Sequence, residues 1–345
     1  MQRWILAAAV AMLTGTLAGP LGAWLPAGTV LGWLCDLTTH FRAYHLVVVV
    51  AGLAVAAWRG GRTAGVIFAA ATLLTVMEMA PAWRPVSARH PLVAEEPAAV
   101  PAGNAATLSV VSLNVQFDNR DTARAMAYLR ACTADLVVLL EVDATWAHAL
   151  ADLDAVYPFA HVEPGRSFEG LAMLSRWPVR ESAVVEFGTQ GMPSIVATIT
   201  TPGGDIDVIA THPRPPLTPA LDGELRDHLH AVGRRAAASP RPCLVVGDLN
   251  ATPWSAAFRG LVEAGGLHDS ALGRGIQPTW NARLWAPRIP IDHILVSPGV
   301  TVLDRRVGPA VGSDHFPVEA RLRLPAPQRV GASSARSMPS RLSFL

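Results

Sequence analysis

The sequence predicts an α/β domain of mainly antiparallel sheets covered by helices, preceded by about three transmembrane helices. Three observations carry this. The first eighty residues are apolar with few charges, and the excess raises the mean hydropathy of the whole chain to +0.31. A short Pro/Ala-rich stretch follows. The remaining chain alternates short apolar runs with turns, and its many strands share few helices. Runs joined by short turns favour antiparallel pairing over a regular β-α-β alternation.

In chain order, Trp4 to Cys35 holds no charged residue. That is too long for one crossing of a ~30 Å hydrocarbon core, which takes about 20 residues. Pro20, Gly22, Pro26 and Gly28 end the first helix, placed at 4–24, and leave an interfacial stretch after it. A second span, 42–58, is bracketed by Arg42 and Arg59. A third, 63–83, carries Glu78 near its end, where a carboxylate can reach the interface. A cleaved leader is the other reading of the first run, yet the later two would still anchor the chain. A buried soluble hairpin would show a polar face, and Leu46 to Ala57 is apolar all round.

Arg3, Arg59 and Arg62 share one side of this arrangement, and Arg42, Arg84 and Arg89 the other, so counting charges gives no orientation. The tight Arg59-Gly60-Gly61-Arg62 turn reads as a cytoplasmic loop. That places the large domain, 105–325, outside the cytoplasm. Residues 85–104 read as a semi-rigid linker and 326–345 as a disordered tail. With 28 Lys+Arg against 27 Asp+Glu there is no broad basic field for nucleic acid. Cys132 and Cys243 read as buried thiols, and nothing in their spacing requires a disulfide.

Within the domain the predicted strands are 107–114, 136–141, 170–175, 195–200, 205–211, 243–247, 291–296 and 318–322. Helical patterns fit 120–131, 219–238 and 254–264. Polar groups cluster where the strands end. Asn114 ends the first and Glu141 the second, where a carboxylate suits a hard cation such as Mg²⁺ or Mn²⁺. In Gly247-Asp248-Leu249-Asn250 the acid and the amide share a face, although the same residues also make ordinary turns. His212 is stiffened by Pro213, Pro215 and Pro216. Asp292 and His315 complement each other, because a carboxylate that accepts an imidazole N–H sets its tautomer and basicity. His293, next to Asp292, points to the opposite face and reads as structural.

Asn114, Glu141, Gly170-Leu171-Ala172-Met173-Leu174-Ser175-Arg176, His212, Gly247-Asp248-Leu249-Asn250, Asp292 and Ser313-Asp314-His315 together resemble the endonuclease/exonuclease/phosphatase superfamily, deoxyribonuclease I-like. The resemblance covers about residues 107–324, and the N-terminus looks like its membrane-anchored bacterial branch. It implies a four-layer α/β sandwich: two mixed, mainly antiparallel β-sheets flanked by helices. It also implies roles. Glu141 is the principal metal ligand, with Asn114 and Asp314 close to the metal. His315, oriented by Asp292, activates water or stabilises the transition state. Asp248 orients the water, Asn250 holds a phosphate oxygen, and His212 contacts phosphate with Glu169 as its paired acid.

The expected activity is therefore a Mg²⁺- or Mn²⁺-dependent phosphodiesterase of nuclease type in a bacterial plasma membrane, acting on nucleic acid or a phospholipid headgroup. A sphingomyelinase-like or inositol-phosphate lipid hydrolase is one alternative. A catalytically silent, membrane-tethered binding domain is another.

Overall fold

The computed structural model describes residues 2–84 and 106–325; the expected linker and tail lie outside the described residues. The N-terminal region holds four helices: α1 (Gln2–Gly22), α2 (Val30–His40), α3 (Arg42–Trp58) and α4 (Arg62–Met79). Two helical segments, Gln2–Gly22 and Arg62–Ala82, are long and apolar enough to cross a membrane. A third crossing arises if α2 and α3, bent 78° apart at Phe41, count as one broken span.

The stretch after α1 is thus more ordered than expected. Thr29 Oγ1 accepts the Gly32 N–H and starts α2. Arg42, at the start of α3, is buried among the helices. It donates to the carbonyls of Gly15 and Thr16 and pairs with Glu78 at 2.8 Å. Glu78 meets that cation rather than reaching out to the interface.

The domain follows as β1 (Thr107–Asn114), α5 (Thr122–Ala131), β2 (Leu136–Leu140), α6 (Ala144–Leu150), β3 (Phe159–Glu163), β4 (Leu171–Ser175), β5 (Val179–Glu186) and β6 (Pro193–Thr201). Then come β7 (Gly204–Thr211), α7 (Pro219–Ala237), β8 (Cys243–Asp248), α8 (Ala256–Gly265), β9 (His268–Asp269), β10 (Asp292–Val296), β11 (Thr301–Val307) and β12 (Val318–Arg323). The helices begin where the sequence caps them. Asp143, Thr218 and Ser255 each accept a backbone N–H three residues on, and Pro219 opens α7.

The strands form two six-stranded sheets, β11-β12-β1-β2-β4-β3 and β5-β6-β7-β8-β10-β9. Each is antiparallel apart from one parallel pair, β1 with β2 and β7 with β8. Val110, Val138 and Met173 face Val208, Val246 and Ile294 in the core between the sheets. On the outside, Leu113, Val137 and Leu139 pack with Met126 of α5 and Trp146 of α6. Val245 and Ile209 pack with Leu229 of α7 and Leu261 of α8. The result is the four-layer α/β sandwich. Its central strands are apolar on both faces because both are covered.

This topology decides where the polar strand ends meet. Asn114, Thr211 and Asp248 end β1, β7 and β8, while β10 and β12, antiparallel to β8 and β1, begin beside those ends. Asp292 is therefore in register with Asp248. Residues from six distant segments arrive at one edge of the sandwich.

Candidate active site

Asp248 lies at the centre of that edge, buried at the end of β8. One of its oxygens stands 3.4 Å from His212 Nε2 and 3.6 Å from His315 Nε2, and it accepts from Asn114 Nδ2 at 3.1 Å. The other accepts the Asn250 N–H. Asn114 Nδ2 also donates to Glu141 at 2.8 Å, so one amide holds two carboxylates together. Its oxygen accepts the Gln116 N–H and does not face the carboxylates. Glu141 takes a second bond from the Phe117 N–H and keeps part of its side chain open.

The backbone here is tightly constrained. Gln116, Glu141 and Asn250 all have positive φ, at 63°, 63° and 48°. Non-glycine residues seldom hold this conformation unless their surroundings enforce it. Gly247, with φ 154°, has no room for a side chain. A Cβ there would come within 2.0 Å of the Thr211 carbonyl oxygen. That close approach of β8 to β7 brings Asp248 within reach of His212.

His315 Nδ1 and Asp292 share a 2.8 Å hydrogen bond. Thr279 Oγ1 accepts the Asp292 N–H, and the buried Arg305 donates to the Asp292 carbonyl. The Ser313 hydroxyl accepts the His315 N–H and donates to the Asn114 carbonyl, which ties the last loop to β1. Burial alone would push the His315 imidazolium toward its neutral form. The Asp292 and Asp248 charges outweigh that and push its pKa up to about 10. Burial likewise favours a neutral Asp248, but His315 and His212 hold it down to about 2. His212 is raised too, because its bond to Asp248 outweighs its own desolvation.

The structure brings together Asn114, Glu141, His212, Asp248, Asn250, Asp292, Asp314 and His315. It does not add Glu169. That carboxylate accepts from the Arg166 and Ser167 N–H groups and the Ser167 hydroxyl, so its own loop uses it up. His212 Nδ1 instead meets the Phe168 carbonyl at 3.0 Å, and Asn250 Nδ2 lies 3.3 Å from its Nε2. His293 faces away, between Asp269 and the Ala251 carbonyl. Trp280 lines the site and donates to Asp314, while Trp254 is buried elsewhere and Trp285 is exposed. Gln116, Thr279 and Arg305 are partners that no motif marks, since each acts through a backbone or through another side chain.

A cavity of about 590 Å³ opens over Glu141, Asp248, His212, Asn250, Asp314 and His315. Asp248, Asp292 and His315 offer ligand atoms within 4.8 Å of one another. In that group His315 Nδ1 and one Asp292 oxygen already share a hydrogen bond, which leaves fewer free ligand atoms. Glu141 and Asp314 fit a hard divalent cation better: both are carboxylates that line the cavity.

Solved structures share the fold. An endonuclease/exonuclease/phosphatase from Beutenbergia cavernae is 24% identical with a TM-score of 0.55, over 64% of this chain and 72% of that one. D. rerio TDP2 in complex with a single-strand DNA product is 20% identical at TM-score 0.53, over 63% and 99%. An endonuclease/exonuclease/phosphatase from Bacteroides vulgatus is 17% identical at 0.52, over 64% and 99%. No curated protein matches the chain. Residues 111–315, which hold every one of the converging side chains, match the Endonuclease/Exonuclease/phosphatase family, and the chain belongs to it.

Proposed function

We propose that this chain is a membrane-anchored, divalent-metal-dependent phosphoesterase that hydrolyses a phosphodiester by in-line attack of water. The observation that carries the reading is Asp248, held between His212 and His315 beside Glu141 at the floor of one cavity. An anionic phosphodiester repels nucleophiles, so catalysis has to neutralise charge and aim the water.

Asp248 accepts a hydrogen bond from the attacking water and orients it. His315, held by Asp292, directs Nε2 at the same point and stabilises charge on the phosphoryl oxygens. His212 and the Asn250 amide bind the non-bridging oxygens. The water oxygen bonds to phosphorus as the ester P–O bond breaks. The water gives up one proton, the leaving oxygen takes one and ends as an alcohol, and the phosphate ends as a monoester. Glu141 and Asp314 would hold Mg²⁺ or Mn²⁺, which when bound neutralises phosphate charge. Asn114 sets the Glu141 carboxylate for that task.

Anchoring is supported by aromatic side chains at both ends of the apolar helices. Trp4 and Trp58 are exposed at one end, and Trp24 and Trp83 at the other. Arg3, Arg59 and Arg62 fall at the end away from the domain. A cytoplasmic 59–62 loop then puts the site on the outer face of a bacterial plasma membrane. Nucleic acid and lipid headgroups both supply the required bond.

The test is hydrolysis of bis-p-nitrophenyl phosphate by the full chain in detergent, with EDTA, Mg²⁺ or Mn²⁺, beside Asp248→Ala. Metal-dependent turnover that the variant loses is the expected result. Inactivity in every metal would favour a silent binding domain.

A further inference from the structure

The cavity over the site is not built by the catalytic domain alone. Leu37, His40 and Phe41, at the corner between α2 and α3, form part of its wall together with His212, Asp248 and His315. The corner is fastened to the domain on several sides. Trp33 Nε1 donates to the Pro216 carbonyl, Asp36 accepts the Ala256 N–H, and the Tyr44 hydroxyl bonds the backbone of Arg288.

The height of the cavity relative to the apolar helices follows from similar contacts. The domain-side ends of α1 and α4 touch the domain: Arg226 donates to the Gly22 carbonyl, and the Gly273 N–H to Pro81. Tyr44 does the same for α3. All three apolar helices therefore end against one face of the domain, and the α2–α3 corner on that face lines the cavity. Around that face, Trp24, Leu31, Leu217 and Trp285 are exposed, at 88, 60, 71 and 89%. On a water-facing enzyme these side chains cost free energy. At a bilayer interface they are favoured.

We infer that the N-terminal helices complete the substrate cleft, and that the cleft takes a lipid phosphoester directly from the bilayer, its phosphate at His212 and Asn250 and its chain along Phe41 and Leu217. This rests on the phosphoesterase reading above. The charge distribution points the same way. Arg214 is the one arginine lining the cavity among the described residues, and its guanidinium lies 5.7 Å over the Phe168 ring. Arg283 is bonded to Gln116 and Arg288 lies over Phe316. A nucleic-acid groove needs a run of free cations along the backbone path. The apolar part of the wall here is Leu37, Phe41, Phe168, Leu217, Leu221 and Ile289.

The experiment uses the full chain in bilayer nanodiscs and three soluble probes: methyl p-nitrophenyl phosphate, decyl p-nitrophenyl phosphate and thymidine 5′-p-nitrophenyl phosphate. Each methylene that leaves water is worth a factor of about four, so burying only about three gives roughly fiftyfold. We expect kcat/KM to rise by about that much from methyl to decyl, and the rise to shrink several-fold in Phe41→Asp and Leu217→Asp. Both positions are partly exposed, which lets the variants fold. Equal values for the two esters would overturn the proposal, as would a preference for the thymidine ester. So would a chain-length gain that survives in both variants, since partitioning into the disc then explains it. If none of the three esters is hydrolysed, the phosphoesterase reading itself has failed, and that outcome is distinct from the others.

Discussion

His315 Nδ1 stands 2.8 Å from Asp292, and both side chains are buried although they come from different strand ends. The bond fixes the ring so that Nε2 faces Asp248 and the cavity. His315→Ala is expected to keep the fold and lower kcat on bis-p-nitrophenyl phosphate by about a thousandfold. A melting curve beside the kinetics separates the two effects. A fully active, metal-dependent variant would sink the assignment.

Gly247 tests the scaffold rather than the chemistry. Adding one methyl group forces β8 away from the Thr211 carbonyl, which lies 2.0 Å from where the Cβ would sit. Gly247→Ala is expected to lose about 3 kcal/mol of stability. It should also lose activity under conditions where it remains folded, because His212 and Asp248 move apart. A denaturant titration with a parallel assay reads both.

Arg42 and Glu78 hold α3 to α4 at the domain end of the helices, with Arg42 almost wholly buried. Removing one partner strands the other charge. Glu78→Leu alone is expected to cost about 3 kcal/mol, and Arg42→Met with Glu78→Leu together distinctly less. Unfolding of Glu78→Leu, Arg42→Met and the double variant in detergent closes the cycle, and additive losses would show that the two charges are not coupled.

Asp222 on α7 is buried beside Arg226 and faces Asp36 of α2. Burial raises its pKa from 3.8 to about 6, and the Asp36 charge adds to the rise against Arg226. A raised folded-state value means that the protonated group's contribution is complete below the unfolded value and is lost as pH rises through about 6. Asp222→Asn should therefore gain stability relative to the parent between about pH 4 and about pH 7, by on the order of 2 kcal/mol. Paired melting curves across that range test the sign.

How much of this was legible in the chain divides along the sheets. Strand runs expected from the sequence account for all eight inner strands, with ends shifted by no more than two residues. The four strands not anticipated, β3, β5, β9 and β11, are the edges of the two sheets. β5 reads Val-Arg-Glu-Ser-Ala-Val-Val-Glu and is mostly exposed, so it carries little of the apolar signal that marks a covered strand. α2 was missed for a similar reason. It is short, lies among Pro and Gly residues, and packs against α1 and α7.

The side chains of the site divide in the same way. Asn114, Glu141, His212, Asp248, Asn250, Asp292, Asp314 and His315 could be picked out because each stands at the end of an apolar run, and a strand end is a local property of the sequence. Their partners could not. Glu169 was matched to His212 by position, but its short loop offered two N–H groups and a hydroxyl nearer at hand. The Phe168 carbonyl took the imidazole instead. The bridge that the Asn114 amide nitrogen makes between two carboxylates is likewise set by packing and not by the local sequence. By itself the sequence determined the strands, the apolar helices and which chemical groups would stand at strand ends, since these follow from neighbours along the chain. Only the tertiary structure decided which atoms face each other, and that the α2–α3 corner walls the cavity. Those contacts join residues up to 244 positions apart, and they depend on how the layers pack.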